Sequence, residues 1–226
     1  MMKKIFLCTL LFIIGLVIYA QTDSIPKAPI GPDFKFADGI FLNFDMVKAN
    51  KPIPKSRIIS TSNYNDPDFI DGIVSNKDLS FYDNLGMKQT IKVKAIWGYA
   101  KNGSLYVRMD ESFAKISYMG SICHFIATIT LVDDRYYDPY YYNPYYYNPY
   151  LGSARNYKTN EVRQFIMDFG TGKIYDFTSE SVEILLMKDP TLYDEYMGLK
   201  KRKREQLKFF YIRKFNERNP LMVPIN

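Results

Sequence analysis

Histidine and cysteine are nearly missing from this chain of 226 residues, which holds one His and two Cys. A single histidine excludes the two-imidazole zinc site of the His-Glu-x-x-His kind. Cys8 lies in an N-terminal apolar run, so removal of that run as a leader leaves Cys123 alone and no internal disulfide possible. The fold must then stand on its apolar core, and Cys123 is either buried or paired with another chain. Its neighbours Ile122 and Phe125 favour burial. Cys123 and His124 are adjacent, and on a strand adjacent side chains leave by opposite faces, which prevents their pairing as nucleophile and base. A phosphate-binding loop is also lacking, since Gly170-Thr171-Gly172-Lys173 has the wrong spacing and reads as a hairpin turn.

The one long apolar run is at the start. Lys3 and Lys4 precede Ile5 to Val17, and Ile18-Tyr19-Ala20 leads into Gln21. A basic segment, an apolar core and a small residue before a polar start make a secretory signal peptide over residues 1–20, cleaved between Ala20 and Gln21. The expected location is therefore export: periplasm, outer-membrane-associated or extracellular. The alternative is an uncleaved leader serving as an inner-membrane anchor, because twenty residues approach the length of a spanning helix. Cys8 follows Phe6 and Leu7 rather than small residues, which argues against lipid modification. No transmembrane segment is expected after the leader.

Charge is unevenly placed. The formal charge is +6, but Lys200 to Arg218 carries a net +7 and the leader +2, which leaves −3 for the rest. The run Lys200, Lys201, Arg202, Lys203 and Arg204 is a candidate basic patch. Export removes nucleic acid as its target, so the readings are a solvated helical face or attraction to an anionic surface or acidic partner.

Residues 136–150 are three copies of Tyr-Tyr-(Asp/Asn)-Pro-Tyr, holding Tyr136, Tyr137, Tyr140, Tyr141, Tyr142, Tyr145, Tyr146, Tyr147 and Tyr150. Proline at every fifth position removes a ladder donor, so the repeat belongs to a loop insertion over 133–160. It reads either as repeat expansion at a tolerant hairpin tip or as an aromatic contact surface for a glycan, peptide or envelope protein.

Residues 21–35 read as an extended lead-in and 36–226 as one domain. Asn43 caps a short helix to Lys48. Arg57 to Thr61, Leu79 to Tyr82 and Thr90 to Ala95 read as strands, the last by its period of two. Ile96 to Ala100 and Leu105 to Met109 flank Asn102-Gly103, a tight-hairpin signal. Phe113 to Tyr118, Ile122 to Val132, Val162 to Phe169 and Lys173 to Phe177 continue the pattern. Thr178 caps one helix; Asp189-Pro190 opens a second that the stripe Leu192, Tyr193, Tyr196, Leu199, Leu207, Phe210 and Tyr211 carries to about Phe215. The predicted class is α+β: an antiparallel, hairpin-connected β-sheet with two C-terminal helices.

Acidic groups offer little chemistry in sequence. Asp66, Asp68, Asp71 and Gly72 faintly suggest a calcium loop, but Ile70 occupies a ligand position and Lys77 stands where the bidentate glutamate belongs. Asp133 and Asp134 keep open a hydrolase using paired carboxylates. No cofactor site is predicted.

The stretches Asp38 to Asp45, Ile96 to Ala100 with Asn102-Gly103, Gly120 to Phe125, and Tyr211 to Leu221 resemble a family of secreted bacterial proteins of unknown function. The resemblance implies an exported protein of a didermic bacterium and carries over no site residues. The tyrosine repeat is not part of that pattern. The expected role is a non-enzymatic binding or structural module of the envelope or extracellular space.

Overall fold

A computed structural model describes residues 27–31, 34–133 and 157–224. Seven strands form the main sheet: β2 (Gly39–Phe41), β5 (Gly98–Lys101), β6 (Ser104–Met109), β7 (Ser112–Tyr118), β8 (Ile122–Asp133), β9 (Tyr157–Asp168) and β10 (Lys173–Asp176). Their order is β10-β9-β8-β7-β6-β5-β2, and every pairing is antiparallel. From β5 to β10 each strand lies beside its neighbour in sequence, so hairpins make the sheet. Two smaller sheets pair β3 (Asp78–Tyr82) with β4 (Lys88–Lys92) and β1 (Lys27–Pro29) with β11 (Met222–Pro224). The end of the lead-in is thus held to the end of the chain. Five α-helices accompany the described strands: α1 (Phe44–Lys48), α2 (Phe69–Val74), α3 (Ser179–Leu186), α4 (Pro190–Met197) and α5 (Lys201–Arg218). The α+β class and the antiparallel sheet are as the sequence predicts.

Alternation along the strands sorts side chains onto two faces. Phe41, Ala100, Leu105, Val107, Ala114, Ile116, Cys123, Phe125, Phe165 and Met167 share one face and one buried cluster, closed over by Phe36, Val47 and Val223. The opposite face is covered in two separate pieces. Over β2 and β5, α2 and the β3–β4 pair bury Ile40, Ile70, Leu79, Val93 and Tyr99. Over β8 and β9, the three C-terminal helices bury Ile122, Ile166, Leu185, Tyr196, Ile212 and Phe215.

Local signals fix the joints. Asn102 and Gly103 have φ of 52° and 73°, the two positive angles that a type I′ turn requires. Phe36 N–H donates to the Gly103 carbonyl and Gly103 N–H to Asp38, so this turn also anchors the incoming chain. Asn43, Thr178 and Asp189 each accept a helix N-terminal N–H, as capping predicts.

Three expectations are corrected. Arg57 to Thr61 is not a strand: Lys55–Arg57 is a 3₁₀ turn, and only Ile58 bridges Phe81. The strand over Thr90 to Ala95 stops at Lys92, and Val93–Ala95 is a second 3₁₀ turn. Val93 and Ile96 must both enter the cluster beneath α2, and residues three apart reach one side only if the backbone coils.

The helix from Asp189 to Phe215 is two helices, α4 and α5, parted at Gly198 to Lys200, where Lys200 is extended. Its apolar stripe does not run along one straight rod. Tyr196 packs edge-on against Tyr211 at 4.9 Å between ring centres, and its hydroxyl donates to the Arg204 carbonyl at 3.2 Å. Apolar ends separated by a charged middle satisfy each other by folding back, which gives three C-terminal helices.

Asn216 ties the helical layer to the backbone of the sheet. Asn216 on α5 accepts from Ile122 N–H and donates to Ile122 C=O, both at 2.8 Å, as a neighbouring strand would. Gly120 makes this approach possible, because a Cβ there would collide with the Asn216 amide. Ser121 Oγ donates to the Asn219 carbonyl at 2.6 Å beside it. Asn216→Ala leaves both backbone groups without their partner and is expected to cost about 2–3 kcal/mol, read as a lower urea midpoint with unchanged slope.

Candidate functional site

Each charged or reactive group raised by the sequence has a definite position, or lies outside the described residues. Ala20 and Gln21 of the cleavage site, Asp134, and the nine repeat tyrosines from Tyr136 to Tyr150 lie outside them. Asp133 is placed only as a β8 residue opposite Tyr157, the last pair of a hairpin whose strands hold twelve residues each. At about 3.3 Å per residue this hairpin is roughly 40 Å long, and residues 134–156 connect its ends.

Cys123 and His124 do leave β8 by opposite faces. The thiol is fully buried in the main cluster and donates to the Gly120 carbonyl. Burial pushes its pKa up to about 12, so it is held as the thiol and not as a nucleophile. His124 stands on the helix side, bonded through Nε2 to Gln164 Oε1 at 3.0 Å and packed on Phe177 and Phe209.

The aspartates of the suggested calcium loop meet a lysine. Lys101 reaches Asp68 at 2.9 Å and also pairs with Asp71, while Tyr99 donates its hydroxyl toward Asp71. An ammonium occupies the place where a cation would sit, and these contacts raise the Lys101 pKa further. Gly170 to Lys173 is the β9–β10 turn, organised by Asp168, which accepts from Gly170 N–H at 3.1 Å and Thr171 Oγ1 at 2.7 Å.

Three carboxylates around the C-terminal helices are held by cations of that layer. Asp168 pairs with Lys188 at 2.7 Å, Asp189 with Arg218 at 2.7 Å, and Glu195 with Lys214 at 2.6 Å. Asp189 also accepts from Leu192 N–H and from Asn219. Burial works to raise the pKa of Asp168 and Asp189, but these donors outweigh it and hold both below the usual carboxylate range. The Lys214 hydrogen bond does the same for Glu195.

The basic run divides. Arg204 is half-buried: its guanidinium lies 2.9 Å from Met197 Sδ and 3.6 Å from Glu183, so it belongs to the packing of α4 on α5. Lys200, Lys201, Arg202 and Lys203 are exposed on the first turn of α5 and have no carboxylate within 4.0 Å among the described residues. Four cations at the positive end of a helix dipole oppose it, at about 0.3–1 kcal/mol each.

A second basic surface was missed in the sequence. A groove of about 620 Å³ opens beside β4 and β6, lined among others by Lys77, Lys92, Lys94 and Arg108 over Val93 and Phe113. The only sequence signal is the pair Lys92 and Lys94, at the end of β4 and in the 3₁₀ turn that follows it; Lys77 and Arg108 join them through tertiary contact alone.

Among the described residues no helix is long and apolar enough to cross a membrane, and no cluster of three His, Cys, Asp or Glu could hold a metal ion. No family model, curated protein or solved structure matches this chain.

The bound carboxylates set an acid limit on stability. A carboxylate whose pKa is lower in the folded state stabilises fully above its unfolded pKa, and that contribution is lost as pH falls through the folded value. The melting temperature is therefore expected to hold near neutrality and to fall from about pH 4 downward. Asp189→Asn keeps the helix cap and removes the charge; it should lower the neutral-pH melting temperature and shrink the acid-induced drop.

Proposed function

We propose that this chain is an exported, non-catalytic binding module that attaches to an anionic surface of the cell envelope. The observation that supports this most is the exposed, unneutralised set Lys200, Lys201, Arg202 and Lys203 at the start of α5. Stability would favour acids at that end of a helix. Cations kept there against the local electrostatics, with no carboxylate within 4.0 Å among the described residues and only Glu180 acting on Lys201 from farther off, have their gain outside the fold. An anionic surface supplies it, at about 1 kcal/mol per basic residue close to lipid head groups.

The carboxylates near the helices favour this over a hydrolase, because the buried ones are spent on Lys188 and Arg218. Export rests on the leader alone. Lys3, Lys4, the apolar run and Ala20 support cleavage before Gln21, with retention as an inner-membrane anchor as the competing form.

Two measurements test the reading. The mature chain should sediment with vesicles containing phosphatidylglycerol but not with phosphatidylcholine alone, and added salt should release it. Charge reversal at Lys200, Lys201, Arg202 and Lys203 should lower that association at least about tenfold; equal sedimentation of the variant overturns the assignment. Fractionation with N-terminal sequencing should find a species beginning at Gln21 outside the cytosol. A cytosolic species still beginning at Met1 overturns export.

A further inference from the structure

The groove lies at the edge of the piece formed by α2 and the β3–β4 pair, against β6 and the start of β7. Its floor is apolar: Val93 is buried, while Val74 and Phe113 are half-buried. Its walls are cationic. Lys92 is engaged with Asp78 at 2.7 Å, but Lys77, Lys94 and Arg108 have no carboxylate within 4.0 Å among the described residues. Glu111 is the one acid of the lining.

Arg108 differs from the lysines in being held. It projects from β6 on the face opposite Val107, half-buried. One guanidinium nitrogen, Nη1, donates to the Val93 carbonyl at 3.3 Å, and the plane lies 5.7 Å from the centre of the Phe113 ring. A guanidinium has five N–H donors, so most of this fork has no protein acceptor among the described residues. A fixed fork over an aromatic ring, with mobile lysines on either side, is a ready receptor for an oxyanion.

The apolar floor narrows the ligand. A bare inorganic anion would use the cations and leave the accessible apolar part of the floor, the half-buried Val74 and Phe113, uncovered. A sugar ring offers a C–H face to such a floor, and its hydroxyls match Asn76 and Ser112 at the rim. The volume suits a compact ligand of this size.

We propose that the groove binds an anionic sugar unit, with its carboxylate or phosphate on Arg108, Lys77 and Lys94 and its ring against Val74 and Phe113. This goes beyond attachment through α5. The groove belongs to the layer of α2 and β3–β4 and the cations of α5 to the helical layer, so either site can fail while the other stands.

Calorimetric titration of the mature chain with glucose 6-phosphate, glucuronate, glucose and inorganic phosphate tests it. Glucose 6-phosphate, glucuronate or both should bind, the one preferred naming the oxyanion. Glucose and inorganic phosphate should each bind at least about tenfold more weakly, the size of one lost charge-assisted contact. Arg108→Gln should weaken the acidic sugar about tenfold. Because Arg108 also holds the Val93 turn, the double variant Lys77→Glu, Lys94→Glu is the decisive one: neither side chain has a carboxylate within 4.0 Å among the described residues, and its melting temperature should match that of the parent. Reversal of Lys200 to Lys203 should leave sugar binding unchanged. Saturation by neither acidic sugar, equal binding of glucose, phosphate binding as tight as the sugar phosphate, or undiminished binding by the double variant overturns the proposal.

Discussion

The arrangement of the C-terminal half depends on one side chain that takes the place of a strand. Asn216 supplies an acceptor and a donor to Ile122 at the beginning of β8, where β7 has already turned away through Gly120. Buried backbone groups must be paired, and a helix cannot pair with a sheet through its own backbone. An amide side chain resolves this conflict. It sets the depth and direction of α5 across the sheet, and the Ser121 contact to Asn219 and the Arg218 pair with Asp189 tie the adjoining helix start to the same place.

Once α5 is fixed, the charge pattern of the surface follows. The last turns of α5 carry cations that meet acids, Lys214 with Glu195 and Arg218 with Asp189, in the orientation that the helix dipole favours. The first turn carries cations with no carboxylate within 4.0 Å among the described residues. Within one helix, therefore, the C-terminal charges serve cohesion and the N-terminal ones are left to solvent or to a partner. Arg204 marks the border, half-buried against Met197 and Glu183.

The sheet shows a similar division. Its main face is closed by a single cluster, whereas its other face is covered by two units that share no strand pairing with each other. Where coverage stops, polar and cationic side chains of the sheet remain accessible beside apolar ones. Arg108 and Phe113 lie at one such margin; His124 and Gln164 lie at the other, against Phe209. Binding surfaces commonly arise at boundaries of this kind, because a cleft there needs no cavity in the core.

Local chemistry made the hairpins legible in sequence. Asn102-Gly103 demanded positive φ at both positions, Gly170 to Gly172 could only turn, and the strand pattern held over Phe113 to Tyr118, Ile122 to Val132, Val162 to Phe169 and Lys173 to Phe177, either side of the Tyr-Pro insertion. The helix starts at Asn43, Thr178 and Asp189 were equally local, since a cap and its N–H lie three residues apart. Tertiary structure alone decided the rest. The break at Gly198 comes from Tyr196 meeting Tyr211, the coil at Val93 comes from the need of two residues to reach one cluster, and the groove joins lysines at the ends of the β3–β4 pair to an arginine of β6. Sequence fixes what a residue can do with neighbours a few positions away; which distant groups it meets depends on burial summed over the whole chain, and no short window contains that sum.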